Sequence, residues 1–486
     1  MLERKAKIVA TIGPTSQDEA VFRRLVESGL DIARLNFSHG THAEHAERIQ
    51  TIRKVSAELC KPVAILQDLQ GPKLRVGSLP PEGVELVAGR TLVLAPVDSS
   101  PAEIQAPAGA TIVPMDVPNL VNSLQPGNRI LLDDGQLELQ VVRLGNNFIE
   151  AEIVLGGILK SHKGVNLPGA NLDIPALQPK DLQDLAFGLQ QQVDAVAISF
   201  VRTAEDIEKV RRAIRELDPS QADLPIIAKL ERPEAIENLE GILKVAYGVM
   251  VARGDLGVET SPASVPIMQK KIIEAANRHG RVVITATQML DSMIHNPRPT
   301  RAEASDVANA IFDGTDAVML SGETASGSYP IESVMMMDTI VREAERNFAQ
   351  WGHCDDVREE PADDDAISIT RAARELAHDR NVTAIAVFTE TGRTALLMSK
   401  ARPKVPVMAF TPDERTLRRL VLYWGVTPFL VPFSSSVESM LTHVDNAIVA
   451  STSVRAGQQI VMISGFPVGA RRPPNFAILH TVGARY

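Results

Sequence analysis

The sequence predicts an α/β protein: a (β/α)8 TIM barrel with an inserted all-β domain and a C-terminal α/β domain. Eight apolar segments of strand length alternate with helical stretches over about 250 residues, the length of such a barrel. The alternation is interrupted once, from about Pro72 to Gly169, by short alternating segments, glycine-rich turns and prolines. An open, doubly wound sheet is the alternative to the barrel. We place the barrel at residues 1–71 and 170–348, the inserted all-β domain at 72–169 and the C-terminal α/β domain at 349–486.

The first half of the predicted barrel repeats a strand followed by a helix. "KIVATIG" is the first strand, and Ser16 with Glu19 predicts a capping box that opens the helix "EAVFRRLVES". "ARLNFSHG" then precedes a second capping box, Thr41 with Glu44, and a helix that runs to about Leu59. "VAILQDL" is the third strand, and it is apolar enough to be buried on both faces.

The second half resumes after the inserted domain with the helix "PKDLQDLAFGLQQQ". Five apolar strands follow: "AVAISFV", "PIIAKLE", "GVMVARGD", "VVITATQ" and "AVMLSGE". A helix ends near Phe348, and the acidic "GHCDDVREEPADDD" is typical of a solvated linker. The third region begins at about Ala366 and has strands "TAIAVFT", "VPVMAFT" and "QQIVMISG".

Composition excludes several classes of protein. Hydrophobic residues make up 44% and charged residues 23%, as in ordinary globular proteins. The net charge of -10 argues against nucleic-acid or anionic-membrane partners, so any anionic ligand must be bound by local cations, helix termini or metal. No apolar run reaches transmembrane length, and the first residues lack a signal-peptide core. Cys60 and Cys354 are too few for a disulfide framework or a cysteine metal site, so we expect a cytoplasmic location.

Polar or charged side chains follow nearly every predicted barrel strand. Each alone is explained by a helix cap or a surface ion pair. Together they lie on the face where barrel enzymes have their active sites, so the sequence predicts a site there. The residues are Arg34, Asn36, Asp68, Lys229, Glu231, Asp255, Thr287 and Glu323.

These side chains favour a reaction with a hard cation. Lys229 and Glu231 are two residues apart on a strand and share a face, where they either bind one ligand or pair with each other. Glu231 and Asp255 follow adjacent strands, and two carboxylates suit Mg²⁺ (or Mn²⁺) better than zinc. The glycines of "ARGDLG" leave backbone N–H groups for an anion. No catalytic triad, phosphate loop or Rossmann fingerprint is present, which leaves phosphoryl transfer or an enolate held on a metal.

Four segments carry a resemblance to a known family. "RLNFSHG", "GVNLPG", "MVARGDLGVE" and the long run from "TATQMLDSM" to "AVMLSGETA" resemble pyruvate kinase, and specifically its K⁺-independent bacterial members. The resemblance covers nearly the whole chain in order. It implies transfer of a phosphoryl group from phosphoenolpyruvate to ADP in glycolysis, giving pyruvate and ATP. It also implies that the inserted all-β domain is a lid domain that closes over the barrel, and that the C-terminal α/β domain is a regulatory domain that binds a phosphorylated allosteric effector. A homotetramer is implied as well.

The resemblance also implies roles for individual residues. Glu231 and Asp255 resemble the Mg²⁺ ligands, and Lys229 resembles the cation that stabilises the phosphoryl group in transfer. Arg34 and Arg75 would clamp the phosphate. The substrate contacts would be Gly254, Asp255 and Thr287, the last of these near the methylene carbon, and the nucleotide contacts would be Pro14 and His39.

The chain departs from the K⁺-requiring members near the monovalent-ion site. The ion's ligands in those members correspond to Asn36, Ser38 and Asp68, which are present. The following segment differs, with Leu69, Gln70, Lys73 and Val76 in place of Thr, Lys, Glu and Thr. We hypothesise that the Lys73 ammonium supplies the charge of the monovalent ion, so that K⁺ is not required. The alternative is that Lys73 is a solvated hinge residue.

In the third domain "VFTETGRTALLMSK" predicts a strand, a polar loop and a helix. The predicted phosphate cradle consists of Thr389, Thr391, Gly392, Arg393 and Thr394. An ordinary helix-start turn explains the same pattern. Glu390 would repel a bisphosphate, so a sugar monophosphate or AMP is favoured as activator, with Arg471 and Arg472 as further contacts.

Two other functions stay open at this point. One is another Mg²⁺-dependent barrel enzyme acting on pyruvate or phosphoenolpyruvate, such as a lyase or mutase. The other is a catalytically silent paralogue that only binds metabolites.

Overall fold

A computed structural model describes residues 4–99, 104, 110–170, 174–353 and 364–484. The chain begins with three strands and two helices: β1 (Lys7–Thr11), α1 (Glu19–Glu27), β2 (Ile32–Asn36), α2 (His42–Glu58) and β3 (Ala64–Asp68). The strands are buried along their length except for Asn36, which is half-buried. Each strand therefore forms from an apolar run that ends in a polar residue, and of these end residues Thr11 and Asp68 are buried.

The capping boxes show one correct and one wrong prediction. Thr41 and Glu44 form the expected reciprocal cap at the start of α2. The box predicted for Ser16 and Glu19 is wrong, because Asp18 is the N-cap of α1 and accepts from the N–H groups of Ala20 and Val21. Ser16 instead accepts a hydrogen bond from Gly13 N at 3.0 Å and stabilises the turn after β1.

The lid follows β3 and is built from short strands, as predicted. Its strands are β4 (Arg75–Val76), β5 (Val84–Leu86), β6 (Thr91–Pro96), β7 (Ile112–Asp116), β8 (Arg129–Leu132), β9 (Leu137–Leu144), β10 (Ile149–Leu155), β11 (Gly157–Leu159) and β12 (Val165–Asn166). Seven of them form one sheet in the order β12-β8-β9-β10-β6-β7-β4, and β5 pairs with β11. Alternating side chains of these strands form a hydrophobic core of the lid's own.

The chain then returns to the barrel. Its elements are α3 (Pro179–Gln190), β13 (Ala195–Ile198), α4 (Ala204–Leu217), β14 (Ile226–Leu230), α5 (Pro233–Glu237), α6 (Leu239–Val245), β15 (Gly248–Ala252), α7 (Arg253–Glu259), α8 (Val265–Arg278), β16 (Val282–Ala286), α9 (Arg301–Phe312), β17 (Ala317–Leu320), α10 (Gly322–Ala325), α11 (Pro330–Arg346) and α12 (Phe348–Trp351). The strands close in the order β1-β17-β16-β15-β14-β13-β3-β2, all neighbours parallel. The barrel is confirmed and the open sheet is excluded.

The C-terminal region is a separate α/β layer structure. It consists of α13 (Asp365–Asp379), β18 (Ala384–Phe388), α14 (Arg393–Lys400), β19 (Val407–Thr411), α15 (Glu414–Leu420), β20 (Val426–Leu430), α16 (Val437–Ser451), β21 (Gln459–Ser464) and β22 (Phe476–Thr481). The sheet order is β20-β19-β18-β21-β22, with β22 antiparallel. The sequence predicted the three central strands and missed β20 and β22, because these edge strands are only partly buried and lack a long apolar run.

Buried ion pairs join the C-terminal end of α14 to the underside of the barrel. Asp316, which precedes β17, pairs with Lys400 Nζ at 2.5 Å and with Arg402 Nη2 at 2.8 Å. All three side chains are at most 5% exposed. Removing one partner would leave a buried charge uncompensated, so these contacts hold the two regions in one orientation.

The predictions for the two cysteines and for the acidic linker can be compared with the structure only in part. Cys354 and most of the acidic segment predicted as a linker, residues 354–363, lie outside the described residues. Cys60 is exposed with a free thiol. In the described ranges, no helix is both long and apolar enough to cross a lipid bilayer.

Candidate active site

The carboxyl ends of the barrel strands bring two cations and two carboxylates together. Arg34 in the middle of β2 pairs with Asp68 at the end of β3, with Nη2 to Oδ2 at 2.6 Å. Lys229 Nζ on β14 lies 3.3 Å from Asp68 Oδ1 and 2.9 Å from Glu231 Oε1. The Asp68 and Glu231 side chains are 1% exposed and that of Lys229 is 12% exposed. The predicted pairing of Lys229 with Glu231 is therefore present, and it forms part of a larger cluster.

The charges in this cluster determine each other's protonation. Burial alone would lower the pKa of Lys229, but the carboxylates of Asp68 and Glu231 outweigh it and raise that pKa. Burial likewise tends to raise the pKa of Asp68, but Lys229 and Arg34 outweigh it and lower that pKa. The lysine is therefore a fixed ammonium group that points into the mouth of the barrel.

Ser199 is a member of the cluster that the sequence reasoning missed. It follows β13, is 2% exposed, and its Oγ accepts a hydrogen bond from Lys229 Nζ at 2.7 Å and donates one to Leu69 O at 2.8 Å. The next residue, Phe200, donates its N–H to Glu231 Oε2 at 2.7 Å. A signal existed, because Ser199 is the polar residue directly after β13, but the strand-end prediction named no residue for β13 or for β1.

Asp255 contributes a third carboxylate on the side of the cleft that faces the lid. It lies in the first turn of α7 and is half-buried. In the described part of the chain its carboxylate accepts no hydrogen bond, and burial, with Asp134 and Glu259 nearby, raises its pKa despite Lys229 and Lys73. Burial and the charge of Asp255 also raise the pKa of Glu231. Two carboxylates that repel each other across a cleft are stabilised by a divalent cation between them.

The residues therefore fit a magnesium or manganese ion with few protein ligands. Among the described residues, no three histidine, cysteine, aspartate or glutamate side chains converge as a complete metal cage. Mg²⁺ keeps several water molecules and takes other ligands from substrate oxygens, so two carboxylates suffice for it. Glu231 and Asp255 are the pair that would bind it.

Thr287 lies directly after β16 in a strained backbone conformation. Its φ is 68°, and Gln288 follows with φ 54°, a left-handed pair that a β-branched residue rarely adopts. The Thr287 hydroxyl accepts from Gly254 N at 2.8 Å and donates to Ala286 O at 2.6 Å. The N–H of Gly254, expected to be free for an anion, is thus bonded to Thr287. Arg253 Nη2 donates to Thr287 O at 2.9 Å, so a second residue missed by the sequence reasoning stabilises this turn.

A group of cations lies where the lid joins the barrel. Arg75 on β4 is half-buried and donates to His162 O at 3.0 Å, whereas Lys73 is exposed in the cleft between barrel and lid. Burial lowers the pKa of His39, and the charges of Lys73, Arg75 and Arg34 lower it further. Three cations, Lys73, Arg75 and Arg34, therefore create a positive potential beside the cluster, which favours an anion.

The residues predicted for the monovalent-ion site and the nucleotide are only partly joined to this cluster. Asn36 Oδ1 accepts from Ser38 N at 3.1 Å, and Asp68 is bound by Arg34 and Lys229. Within the described ranges, no ion pair or hydrogen bond joins Lys73 to these three side chains. Pro14 is exposed in the turn after β1.

Glu323 does not belong to the cluster. Its buried carboxylate accepts from Leu290 N at 3.1 Å and Ser321 N at 2.7 Å, and burial raises its pKa. Glu323 therefore stabilises two loops. This structural role resembles the helix cap that is the alternative explanation for each strand-end residue.

A second pocket lies in the C-terminal region, with a volume of about 180 Å³. It brings together the loop before α14 and the segment before β22, including Thr389, Thr391, Arg393, Thr394, Arg471 and Arg472. Gly392 has φ 84°, and its N–H donates to Thr389 Oγ1 at 3.0 Å. The N–H groups of Thr389 and Arg393 also donate within the protein, so three N–H groups of the predicted cradle are used. Glu390 lies 3.6 Å from Arg471, which offsets its charge.

Comparison with known proteins identifies one family along nearly the whole chain. Residues 3–334 match the family model described as pyruvate kinase, barrel domain, and residues 367–480 match the one described as pyruvate kinase, alpha/beta domain. A pyruvate kinase from Sporosarcina psychrophila is 43% identical over 482 residues, which are 99% of this chain and 81% of that protein. A pyruvate kinase from Staphylococcus aureus (strain MRSA252) is 42% identical over 486 residues, with the same two coverages.

Proposed function

Since the chain belongs to the pyruvate kinase family, and is therefore a phosphotransferase acting on phosphoenolpyruvate and ADP, we propose that the strand-end cluster at the mouth of the barrel carries this reaction. The supporting observation is the Lys229 ammonium, fixed at 3.3 Å from Asp68 and 2.9 Å from Glu231 beside the partnerless carboxylate of Asp255. The family implies a divalent metal. Bound between Glu231 and Asp255, Mg²⁺ or Mn²⁺ would neutralise charge on the substrate oxygens and orient them.

The cations of the cluster stabilise the phosphoryl group. As the P–O bond to the enol oxygen breaks, its electron pair stays on that oxygen while the phosphoryl group moves to the terminal phosphate of ADP. Lys229 and Arg34 are held in place by Asp68 before substrate arrives, so little reorganisation is needed when charge develops on the phosphoryl oxygens. Arg75 and Lys73 add positive charge from the lid side, and His39 with Pro14 would contact the nucleotide.

Thr287 serves the protonation that completes the reaction. The enolate must gain one proton at its methylene carbon to become pyruvate. The Thr287 hydroxyl is held in a strained turn beside Gly254 and Asp255, in the position to contact the substrate and order the water that delivers the proton. Closure of the lid excludes other water, which would otherwise take the phosphoryl group.

Lys73 replaces the monovalent ion. Its ammonium already acts on Asp255 and His39 across the cleft, and it lies on the segment that moves with the lid. When the lid closes, that charge would be carried toward Asn36, Ser38 and Asp68, so that catalysis does not need K⁺. The alternative, a solvated hinge lysine, predicts K⁺-dependent rates.

The pocket before α14 binds the allosteric activator. Arg393, Arg471 and Arg472 supply cations, and three threonine hydroxyls supply donors for one phosphate. Glu390 pairs with Arg471 at 3.6 Å and leaves less positive charge for a second phosphate, which supports a sugar monophosphate or AMP over a bisphosphate. We further propose a homotetramer, a cytoplasmic location, and the domain boundaries after residues 71, 169 and 348.

The first experiment measures pyruvate formation from phosphoenolpyruvate, ADP and Mg²⁺, with K⁺ and with K⁺ replaced by tetramethylammonium. Equal rates support the proposed role of Lys73. A rate that falls by orders of magnitude without K⁺ overturns that role and leaves the phosphotransferase activity in place. Pyruvate formation that does not depend on ADP would indicate a lyase or mutase, and no rate in either salt, even with sugar phosphates or AMP, would indicate a silent paralogue.

A further inference from the structure

Two chain segments connect the lid to the barrel, and one carboxylate binds both of them. The first segment runs between β3 and β4, and the second between β12 and α3. Asp181, in the first turn of α3, accepts from Gly71 N with Oδ1 at 3.0 Å and from Gln178 N with Oδ2 at 2.8 Å. Its side chain is buried, with the residue 1% exposed. The two connections are therefore joined at a single point inside the protein.

The place where Asp181 binds Gly71 is also in contact with the catalytic cluster. Gly71 has φ 68°, and a Cβ built on it would lie 2.9 Å from Ser199 Cβ, so its backbone packs directly against Ser199. Ser199 accepts the hydrogen bond of Lys229 at 2.7 Å. Lys73 N donates to Gly71 O at 2.9 Å, so the hinge glycine also orients the segment that carries Lys73. A change in the position of Gly71 is thus transmitted to both lysines.

The surroundings leave room for rotation about this point. A cavity of about 230 Å³ lies beside Asp181 and is lined on the lid side by Asp116 and Pro118. The backbone at the point itself is held on two sides, because Leu69 N donates to Ala197 O at 3.0 Å and Lys180 Nζ donates to Phe37 O at 2.8 Å. A lid that turned about this point would keep its attachment to the barrel.

We infer that Asp181 is a positioning residue, the pivot that binds both connections of the lid and sets how the lid closes over the barrel. The inference rests in part on the proposed closure of the lid. Asparagine at this position has one carbonyl oxygen and an NH₂ group, so it can accept from only one of the two N–H donors and opposes the other.

The competing explanation is that Asp181 only caps α3. Asp206 provides the matched control, because it is the equivalent residue in the capping box of α4, is 4% exposed, and accepts from Arg202 N at 3.0 Å and Thr203 N at 3.1 Å. Asp206 caps a barrel helix without contacting Gly71. Both of these bonds end on Oδ2, so Asp206→Asn replaces a buried capping carboxylate by an amide that can keep the cap, and it leaves the pivot intact.

The test measures the distance between spin labels on the lid and the barrel in the full-length chain. Exposed Val154 on β10 and Leu217 at the end of α4 are changed to labelled cysteines, with Cys60 and Cys354 replaced by serine. Without ligand, we expect one narrow distance distribution in the otherwise unaltered protein and in Asp206→Asn, and a distribution at least twice as broad in Asp181→Asn. Equal widths in all three would overturn the pivot.

A second arm adds phosphoenolpyruvate and Mg²⁺ without ADP. A shift to a shorter distance in the control proteins and a smaller shift in Asp181→Asn support the pivot, whereas equal shifts overturn it. No shift in any protein contradicts the proposed closure, and the ligand-free widths still decide the pivot separately. In steady state, we expect Asp181→Asn to lower kcat at least tenfold while KM for phosphoenolpyruvate changes less than threefold, and Asp206→Asn to change neither.

A second variant covers the case in which Asp181→Asn does not fold. Gly71→Ala leaves Asp181 and the α3 cap unaltered but pushes the other partner away from Ser199. It should broaden the same distance distribution and lower kcat by a similar factor. A Gly71→Ala protein with the distribution and kcat of the unaltered chain would count against the pivot.

Discussion

The barrel mouth and the C-terminal pocket both gather basic side chains at the ends of parallel strands, but they hold them differently. Lys229 and Arg34 are 12% and 11% exposed and are bound by carboxylates that are 1% exposed. In the C-terminal pocket, Arg393 is 52% exposed and Arg471 is 78% exposed. Buried cations need fixed partners and are preorganised, whereas exposed ones are hydrated, mobile and screened by salt. The difference suits catalysis at the first site and reversible effector binding at the second.

The largest effect is expected for Lys229→Met. The variant lacks the ammonium that stabilises the phosphoryl group and leaves Asp68 beside Glu231 without it, so kcat should fall about 10³-fold. Steady-state kinetics and thermal unfolding measure the two consequences. Lys54→Met, which removes a surface lysine that is 55% exposed and paired with Glu19, is the control and should retain full activity. A loss below tenfold for Lys229→Met would mean that a buried cation at the barrel mouth contributes little more than an exposed cation in the C-terminal pocket.

Thr287→Val should have the next largest effect. Valine keeps the branched shape at φ 68° but lacks the hydroxyl that contacts Gly254, so kcat should fall about 10²-fold, a size typical of lost proton-transfer assistance. Thr287→Ser keeps the hydroxyl and should stay within a fewfold of the unaltered enzyme. If serine and valine lower kcat equally, the strained backbone and not the hydroxyl is what matters at this position.

Lys73→Glu tests an exposed cation at the otherwise buried site. The negative charge next to Asp255 should lower the rate roughly tenfold in tetramethylammonium, and K⁺ should restore it. The measurement is kcat as a function of K⁺ concentration. Lys160→Glu, on an exposed lysine of the lid, is the control for added negative charge. Failure of K⁺ to restore the rate would contradict the role of Lys73 as the internal cation.

Burial also affects how the stability of the protein depends on pH, as a buried histidine near His39 shows. His45 is 1% exposed and stacks on Phe37 at 4.0 Å, and burial lowers its pKa from 6.5 to about 4. Between these two values the unfolded chain binds a proton that the native protein does not. Lowering the pH through this window should therefore cost up to about 3 kcal/mol of native stability from this residue.

The measurement is the free energy of unfolding in urea from pH 7 to pH 4. The unaltered protein is compared with His45→Gln, because other groups also titrate over this range. The stability of His45→Gln should depend less steeply on pH below 6.5. Parallel curves would show that His45 is protonated in the native protein.

The smallest effect is expected for Arg471→Ala in the C-terminal pocket. An exposed cation contributes up to about 1 kcal/mol, so the half-activating concentration of a sugar monophosphate should rise up to fivefold, and high salt should remove the difference. kcat at saturating activator should not change. Arg455→Ala, at another exposed arginine of the same region, is the control. A change larger than a hundredfold would mean that Arg471 becomes buried when the activator binds.

Local patterns predicted most elements of this fold because they reflect short-range physics. The apolar runs of the eight barrel strands and the cap of α2 at Thr41 depend on neighbours a few residues away, and both are as predicted. The cap of α1 was wrong because Ser16 and Asp18 both precede the helix, and only the turn after β1 decides which one caps it. The edge strands β20 and β22 were missed because pairing with β19 and β21 stabilises them.

The residues of the candidate site were likewise predicted only in part by local patterns. The rule that polar residues end the barrel strands found Arg34, Asp68, Lys229, Glu231 and Asp255, and applied to β13 it would also have found Ser199. It also selected Glu323, which bonds only to loop backbone. No local pattern separates these cases, because each is a polar residue after an apolar run.

By itself, the sequence determined the class of the fold, the family and the kinds of side chain available at the barrel mouth. These follow from periodicity and from long matching segments, which need no knowledge of distant contacts. Only the tertiary structure decided which charges pair, which carboxylate is left without a partner, and that Asp181 meets Gly71 across 110 residues of chain. Those properties depend on burial and distance between segments far apart in sequence, and both arise only when the barrel closes.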